Sequence, residues 1–242
     1  MKLLLVALFM VLGCTPLSAL EPPKLQEVLL LARAGNAEAQ YHVGMMFNNG
    51  INGAPMDPKQ ALEWFKKSAA GNDPLGAYKL GCYYAGQFPG TVSADAAKAL
   101  EYKLAAARAG YALAQHDVAV IFHQAGNFVE SGNWWRLAAD QGLAPSAYNL
   151  ATWHHEGKAG SRSPSMAYAY FKLSQLITRG HLTAKAQEGL DTMAKDMTSE
   201  EIENAQKFVA QWVPRPTEIT LNARRASERI ASLLKAQQAT SQ

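Results

Sequence analysis

Cysteine is almost absent from this chain of 242 residues, which contains only Cys14 and Cys82. A disulfide framework of the kind that holds small secreted domains together is therefore excluded, and packing must supply the stability. An excess of charge of one sign is also lacking, because the formal net charge is +3 and no basic run occurs. Since nucleic-acid binding normally shows as a clustered basic face, we expect no nucleic-acid partner.

Most of the chain has an ordinary balance of hydrophobic (48%) and charged (18%) residues. This composition excludes global disorder and a polytopic membrane protein. The apolar run Leu3–Val11 follows Lys2 and is shorter than the roughly 20 residues that span a bilayer. Residues 1–19 are therefore predicted to be a secretory signal peptide that is removed from the mature protein.

Two cleavage sites compete within this segment. Val11–Cys14 resembles a bacterial lipobox, in which Cys14 would become the lipidated first residue and attach the protein to a membrane. Leu17–Ala19 is instead an ordinary small-residue site, with cleavage after Ala19. Both predict export across the inner membrane into the periplasm, and the first adds a lipid anchor in the outer membrane.

Motifs for catalysis or metal binding are also lacking. No glycine-rich phosphate loop occurs. The run His154–Glu156 is a poor metal site, because adjacent histidines on a helix point in different directions and no His-Glu-x-x-His pattern follows. Ser232–Lys235 matches the Ser-x-x-Lys of penicillin-recognising enzymes, but it lies in a terminal helix without the companion motifs. We therefore predict no catalytic residue, no metal and no cofactor.

What the sequence does contain is an internal repeat. The string Ala32–Gln40 recurs at Ala107–Gln115, 75 residues later, which is two units of about 37. Glycines punctuate the chain at similar intervals and are predicted to end helices at positive φ: Gly35, Gly71, Gly110, Gly142 and Gly180. These spacings indicate about four units.

Each unit divides into two predicted helices. The first carries a large apolar residue, then a small one, then a ring four residues after the large one, which places the large residue and the ring on one face. These triplets are Val43, Gly44 and Phe47; Leu80, Gly81 and Tyr84; Val118, Ala119 and Phe122; and Leu150, Ala151 and His154. The second helix has a small residue three before an aromatic, as in Ala61 and Trp64. Helix starts are predicted at Asp57-Pro58, at Ser163-Pro164 and at the capping box Thr198–Glu201.

The order Ala-x-Ala-Gln-x-x-Leu-Gly-x-x-Tyr, a glycine-bearing loop, Asp-x-x-x-Ala-x-x-Trp and Ala-Ala-x-x-Gly resembles the Sel-one-like repeat, a relative of the tetratricopeptide repeat. The resemblance covers about Lys24 to Trp212 and departs at His154, where a tyrosine is usual. It implies an all-α fold, a right-handed α/α superhelix of about four helix–turn–helix repeats over residues 21–213, to which residues 198–212 add a capping helix.

The resemblance also implies a concave wall, lined by the first helix of each pair, that holds a partner protein or peptide. Mapping its register gives these candidate contact residues: Tyr41, Met45, Asn48, Tyr78, Cys82, His116, His123, Gln124, Tyr148 and His155. Two interpretations of the column Tyr41, Tyr78, His116 and Tyr148 stay open. It is either an aromatic ladder for a partner, or a set of rings that pack between adjacent first helices.

Residues 214–242 form a separate C-terminal segment. Pro214-Arg215-Pro216 breaks the chain, and Thr217–Lys235 is predicted to be one amphipathic helix with a basic face. That helix either docks on an anionic membrane or acidic partner, or packs against the last repeat with its basic face in solvent.

Together these features predict a non-enzymatic adaptor of the bacterial cell envelope that binds a protein or peptide. The resemblance also implies an alternative, a secreted repeat protein that binds or hydrolyses β-lactams. A concave aromatic wall that stacks on sugars would give a second alternative, a module that binds peptidoglycan or sugars. Nothing in the sequence indicates an oligomeric state.

Overall fold

The computed structural model describes residues 25–240 apart from 159 and 161. The predicted signal peptide and Cys14 lie outside the described residues. The described part contains thirteen helices and no strand, and the all-α prediction is confirmed. The helices are α1 (Leu25–Arg33), α2 (Ala37–Asn49), α3 (Pro58–Ala70), α4 (Pro74–Tyr84), α5 (Ala96–Arg108), α6 (Ala112–Gln124), α7 (Phe128–Asp140), α8 (Ala144–Glu156), α9 (Pro164–Arg179), α10 (Ala184–Ala194), α11 (Ser199–Gln211), α12 (Glu218–Arg224) and α13 (Ala226–Thr240).

Helices α2 to α9 form four pairs, α2/α3, α4/α5, α6/α7 and α8/α9, which we number as repeats one to four. Within a pair the two helices pack together, and the second helix of each pair packs on the first helix of the next. α1 packs on α2 at one end of the array, while α10 and α11 pack on α9 at the other. Each repeat therefore buries a face that it could not cover alone, as a stacked repeat protein requires.

Side-chain caps start the helices where the sequence predicts. Asp57 accepts hydrogen bonds from the backbone N–H groups of Lys59 and Gln60, with Pro58 at the first helical position of α3. Ser163 caps α9 in the same way. Thr198 and Glu201 form the reciprocal capping box that begins α11. These caps fix the helix boundaries locally, before any tertiary contact is made.

Four of the five glycines that were predicted to end helices have positive φ, as expected. Gly35, Gly110, Gly142 and Gly180 have φ of 94°, 95°, 81° and 70°. The prediction was wrong for Gly71, whose φ is −82°, and the left-handed residue there is Asn72 at 62°. Gly71 has a packing role instead, because a Cβ at this position would lie 2.6 Å from Cβ of Ala37.

Equivalent rings make equivalent contacts in different repeats. In repeat two, Tyr84 stacks on Tyr102 with 5.8 Å between ring centroids and 5° between ring planes. In repeat four, His154 stacks on Tyr170 at 5.6 Å and 9°. The imidazole at position 154 therefore replaces the usual tyrosine without loss of the stacking geometry.

The C-terminal segment, residues 213–240, which we call the tail, departs from the prediction in two ways. It forms two helices, α12 and α13, because the helix breaks at Arg225, where φ is −113° and ψ is 39°. It also does not stay at the last repeat. α12 contacts α4 and α13 contacts α1 and α2, since α11 already covers α9 and the prolines at 214 and 216 turn the chain back along the array.

Candidate partner-binding surface

The first helices α2, α4, α6 and α8 present equivalent positions side by side, and the column predicted for partner contact begins each of them. The structure divides this column by exposure. Tyr41 is only 6% exposed, whereas Tyr148 is 51% exposed. Tyr78 and His116 are half-buried. The four residues therefore occupy one register but two different environments.

In repeats one and two the rings make internal contacts. The Tyr41 ring lies 5.0 Å from the ring of His42 and 6.3 Å from that of Phe65. Tyr78 packs edge-on against Tyr111 with 5.0 Å between centroids. Burial raises the pKa of both Tyr41 and Tyr78. These are the contacts that the packing interpretation predicts, and they leave Tyr41 little surface for a partner.

Repeats three and four keep the equivalent face open. On α6, Leu113 is 41% exposed, and His116 and Val120 follow it at helical spacing, so that all three share one face. On α8, the Tyr148 ring lies 6.1 Å from that of Phe171, and Thr152 follows it one turn later. We call these five residues, Leu113, His116, Val120, Tyr148 and Thr152, the open face.

His116 connects the two helices of the open face. Its Nδ1 lies 2.8 Å from Oγ of Ser146, at the start of α8. Burial lowers the pKa of His116 below its ordinary value, so the ring is neutral at pH 7. A neutral ring with one nitrogen held by Ser146 is a fixed polar group beside the exposed Tyr148.

The remaining candidate residues lie in different environments and have different roles. Met45 and Cys82 are half-buried, and burial raises the pKa of the Cys82 thiol. Asn48 is buried and accepts a hydrogen bond from the Tyr83 hydroxyl at 3.0 Å. His123 packs against the rings of Phe128 and Trp135. Gln124 and His155 are exposed at the C-terminal ends of α6 and α8. Asn48 and His123 therefore hold the scaffold together at one end of the first helices.

The sequence did not predict a partly buried ion pair near this column. Lys103 Nζ, on α5, lies 2.7 Å from Oδ2 of Asp117 on α6, and the Tyr78 hydroxyl donates to the same oxygen at 3.4 Å. The pair links repeats two and three. Its one signal in the sequence is that an acidic residue occupies position 117 where the equivalent position of repeat two has Lys79.

In the portion of the chain that the structure describes, no three His, Cys, Asp or Glu side chains come together as metal ligands. Within the same portion, every helix is too short or too polar to cross a membrane.

Comparison with known proteins matches the repeat units one by one. A family model of the Sel1 repeat matches residues 37–73, 74–111, 112–143 and 144–174, which together make up more than half of the chain. Each of the four matches begins at the first residue of a first helix, α2, α4, α6 or α8. The sequence units and the structural pairs are therefore the same units.

The similar solved structures are only distantly related in sequence. A Sel1 repeat protein from Oxalobacter formigenes is 18% identical with a TM-score of 0.59, over 77% of this chain and 78% of that one. A protective antigen of uropathogenic Escherichia coli with an SLR fold is 21% identical over 82% of this chain, with a TM-score of 0.49. This chain spans half the length of that antigen. An immunity protein from Pseudomonas aeruginosa is 17% identical over 88% of this chain and 78% of its own, with a TM-score of 0.44.

Proposed function

Because this chain belongs to the Sel1 repeat family, we propose that it is a non-enzymatic scaffold of the bacterial cell envelope that binds a partner protein or peptide on its open face. Sel1 repeat proteins generally mediate protein–protein interactions, and the four stacked repeats give this chain the same kind of surface. The cell-envelope location rests on the signal-peptide pattern of residues 1–19.

The observation that carries the proposal is the exposure of Tyr148 beside Leu113. A tyrosine that is 51% exposed and a leucine that is 41% exposed offer apolar area, while His116 and Thr152 offer hydrogen-bonding groups. Aromatic anchors surrounded by polar groups are the usual composition of energetically important contact sites. Tyrosine also loses little side-chain entropy on binding, because it has only two rotatable side-chain bonds.

Site-specific photo-crosslinking tests the open face directly. Full-length protein carrying p-benzoylphenylalanine at position 148 is produced in cells and irradiated. The control carries the same group at Leu137, which is 45% exposed but lies on α7, a second helix. We expect a discrete adduct from position 148 and none from position 137.

The crosslinked protein, once identified and purified, allows an affinity measurement. Tyr148→Ala is expected to weaken its binding at least about tenfold, the loss of one contact of about 1.4 kcal/mol, whereas Leu137→Ala leaves it unchanged. Equal adducts from both positions, or unchanged binding by Tyr148→Ala, would rule out the open face as the binding site.

The form of membrane attachment has its own test. If Cys14 is the lipidated first residue, radiolabelled palmitate enters the wild-type protein but not Cys14→Ser. If the signal is instead cleaved after Ala19, neither protein is labelled and the mature chain begins at Leu20 by N-terminal sequencing.

A further inference from the structure

The tail is fixed to the loop between α7 and α8 by a cluster of buried polar groups, which we call the polar anchor. Gln141, only 4% exposed, accepts hydrogen bonds through Oε1 from the Thr217 backbone at 3.1 Å and from the Thr220 hydroxyl at 2.6 Å. Its Nε2 donates to the Gly110 carbonyl at 2.8 Å. The Ala112 N–H donates to the Thr220 hydroxyl. The anchor holds the start of α12 across repeats two and three.

The far end of the tail is held by a charge pair. Arg229 on α13 donates through Nε and a terminal nitrogen to the two Glu38 oxygens, at 2.6 and 2.9 Å. This two-pronged geometry makes the guanidinium specific for a carboxylate. His42 lies 4.0 Å from Glu38, but burial lowers the pKa of His42 to about 4. At neutral pH the charged partner of Glu38 is therefore Arg229.

Between these two attachments the tail contributes apolar side chains to the main core cluster. Ile230 is 5% exposed in a cluster that includes residues of α1 and α2. Four more tail residues pack against the same cluster: Ile219, Ala223, Leu233 and Leu234. The tail thus binds repeats one and two as an amphipathic helix binds a groove, with aliphatic side chains inward and an arginine on the rim.

Equivalent positions of the repeats differ in burial according to where the tail lies. Leu75 on α4 and Leu113 on α6 occupy the same position of their repeats, yet Leu75 is 4% exposed and Leu113 is 41% exposed. Leu75 belongs to the cluster against which the tail packs. The tail packs on α1, α2 and α4, in the half of the array where Tyr41 and Leu75 are buried.

From these contacts we propose that the tail is an internal ligand of repeats one and two, and that a partner helix of the same chemistry displaces it. Such a helix carries an arginine that pairs with Glu38, followed by aliphatic residues along one face. This inference rests on the proposed scaffold function and extends it from the open face to a second surface, on repeats one and two. Release of α13 requires the pair at Glu38 to open, Ile230, Leu233 and Leu234 to leave the cluster and the chain to bend at Arg225, while the polar anchor stays intact.

A peptide added to the full-length protein tests this exchange. The probe is a fluorescein-labelled synthetic peptide of residues 226–240, the α13 segment, and binding is followed by fluorescence anisotropy. Covalent attachment gives the native tail an effective concentration that can reach the millimolar range, so wild-type protein should bind the probe weakly. Arg229→Glu in the protein loosens its own tail and leaves Glu38 in place. We expect this variant to bind the probe at least about tenfold more tightly than wild type.

Matched variants separate this effect from a general change in charge. Lys235→Glu makes the same charge change at an exposed position of α13 and should behave as wild type. A probe that carries Arg229→Glu should fail to bind the Arg229→Glu protein and should bind full-length Glu38→Arg instead, because the charge pair is then restored in reverse. The double variant Glu38→Arg/Arg229→Glu should hold its own tail and bind neither probe tightly, which keeps the test usable if a single variant folds poorly.

Hydrogen exchange of α13 amides, measured on the same proteins, completes the test. Faster exchange in Arg229→Glu together with probe binding supports the proposal. Unchanged exchange overturns it, because the tail is then a fixed part of the fold, and faster exchange without probe binding overturns it as well. If the probe does not bind but position 148 still gives a crosslinked adduct, the tail inference alone is rejected. If the probe binds but position 148 gives no adduct, only the open face is rejected.

Discussion

The ring of Phe65 on α3 lies so close to Gly44 on α2 that a Cβ at position 44 would be 2.6 Å from Phe65 Cε1. Phe65 is fully buried, so the ring has no free volume into which it can withdraw. A similar contact occurs between α7 and α8, with the glycine now on the second helix of a pair and the ring on a first helix. There, a Cβ at Gly132 would lie 2.6 Å from the ring of Trp153. Small residues therefore set how closely the helices of this array approach.

The first prediction concerns this close approach. Gly44→Ala should lower the free energy of unfolding by about 1–3 kcal/mol, because overpacking outweighs the gain in helix propensity. Gly189→Ala is the control, since Gly189 lies within α10 with no atom within 4 Å of a Cβ at that position. It should raise the free energy of unfolding by about 0.5–1 kcal/mol. Urea denaturation measures both, and stabilisation by both variants would contradict the packing argument.

The second prediction concerns pH. Burial raises the pKa of Asp73, the N-cap of α4, to about 6 from an ordinary value of 3.8. The folded protein then binds a proton that the unfolded chain has lost, so stability falls as pH rises from about 4 to about 6. Asp73→Asn keeps a good N-cap but does not titrate. It should flatten this part of the profile and leave the protein more stable than wild type at pH 7.

Asp95, the N-cap of α5, provides the opposite case for the same measurement. The backbone N–H of Lys98 lowers the pKa of Asp95, so its contribution is present above the ordinary pKa and is lost as pH falls through the lowered value. The wild-type protein should therefore lose stability as the pH falls through the lowered pKa of Asp95, and Asp95→Asn should not show this loss. Thermal melts between pH 3 and pH 8 distinguish the two, and equal slopes in wild type and Asp73→Asn would refute the assignment.

The third prediction concerns the polar anchor. Gln141→Ala leaves the Thr217 N–H without its acceptor and the Gln115 side-chain oxygen without its donor. Because an unpaired buried polar group costs about 1–3 kcal/mol, we expect a comparable loss in the free energy of unfolding. Amide exchange in α12 should also accelerate. The exposed Gln211 gives a matched control, and an equal effect of Gln211→Ala would show that the anchor has no special role.

The fourth prediction separates structural tyrosines from contact tyrosines. Tyr41→Ala removes a buried ring from the core cluster and should cost about 3–5 kcal/mol of stability. Tyr148→Ala removes an exposed ring and should change stability by less than about 1 kcal/mol. Chemical denaturation of the two variants checks this difference. A large loss of stability in Tyr148→Ala would show that Tyr148 is a structural residue and not a contact residue.

Much of the repeat fold could be predicted because its signals are local. The Asp57-Pro58 cap, the capping box at Thr198 and the glycines at 110 and 142 each act within a few residues of their own position. The close approach at Gly44 was also predictable, since a small residue beside a large one recurs in every unit.

What the sequence could not predict depends on residues far apart in the chain. Glu38 and Arg229 are separated by 191 positions, and neither has a neighbour that indicates the other. Leu75 and Leu113 likewise occupy the same position of their repeats but differ in burial, which the repeat pattern does not indicate. The sequence therefore predicted which residues form the column, but not that its member in repeat one is buried and its member in repeat four exposed.

The hydrogen bonds between Arg229 and Glu38 tie the last helix to the first repeat. Linear arrays in which each repeat touches only its neighbours can melt from either end, one unit at a time. Here the two ends share a contact, so the first repeat cannot come apart while the last helix stays in place. The first repeat is therefore coupled to α13 as well as to its neighbour, a cooperativity that an unclasped solenoid of this length would lack.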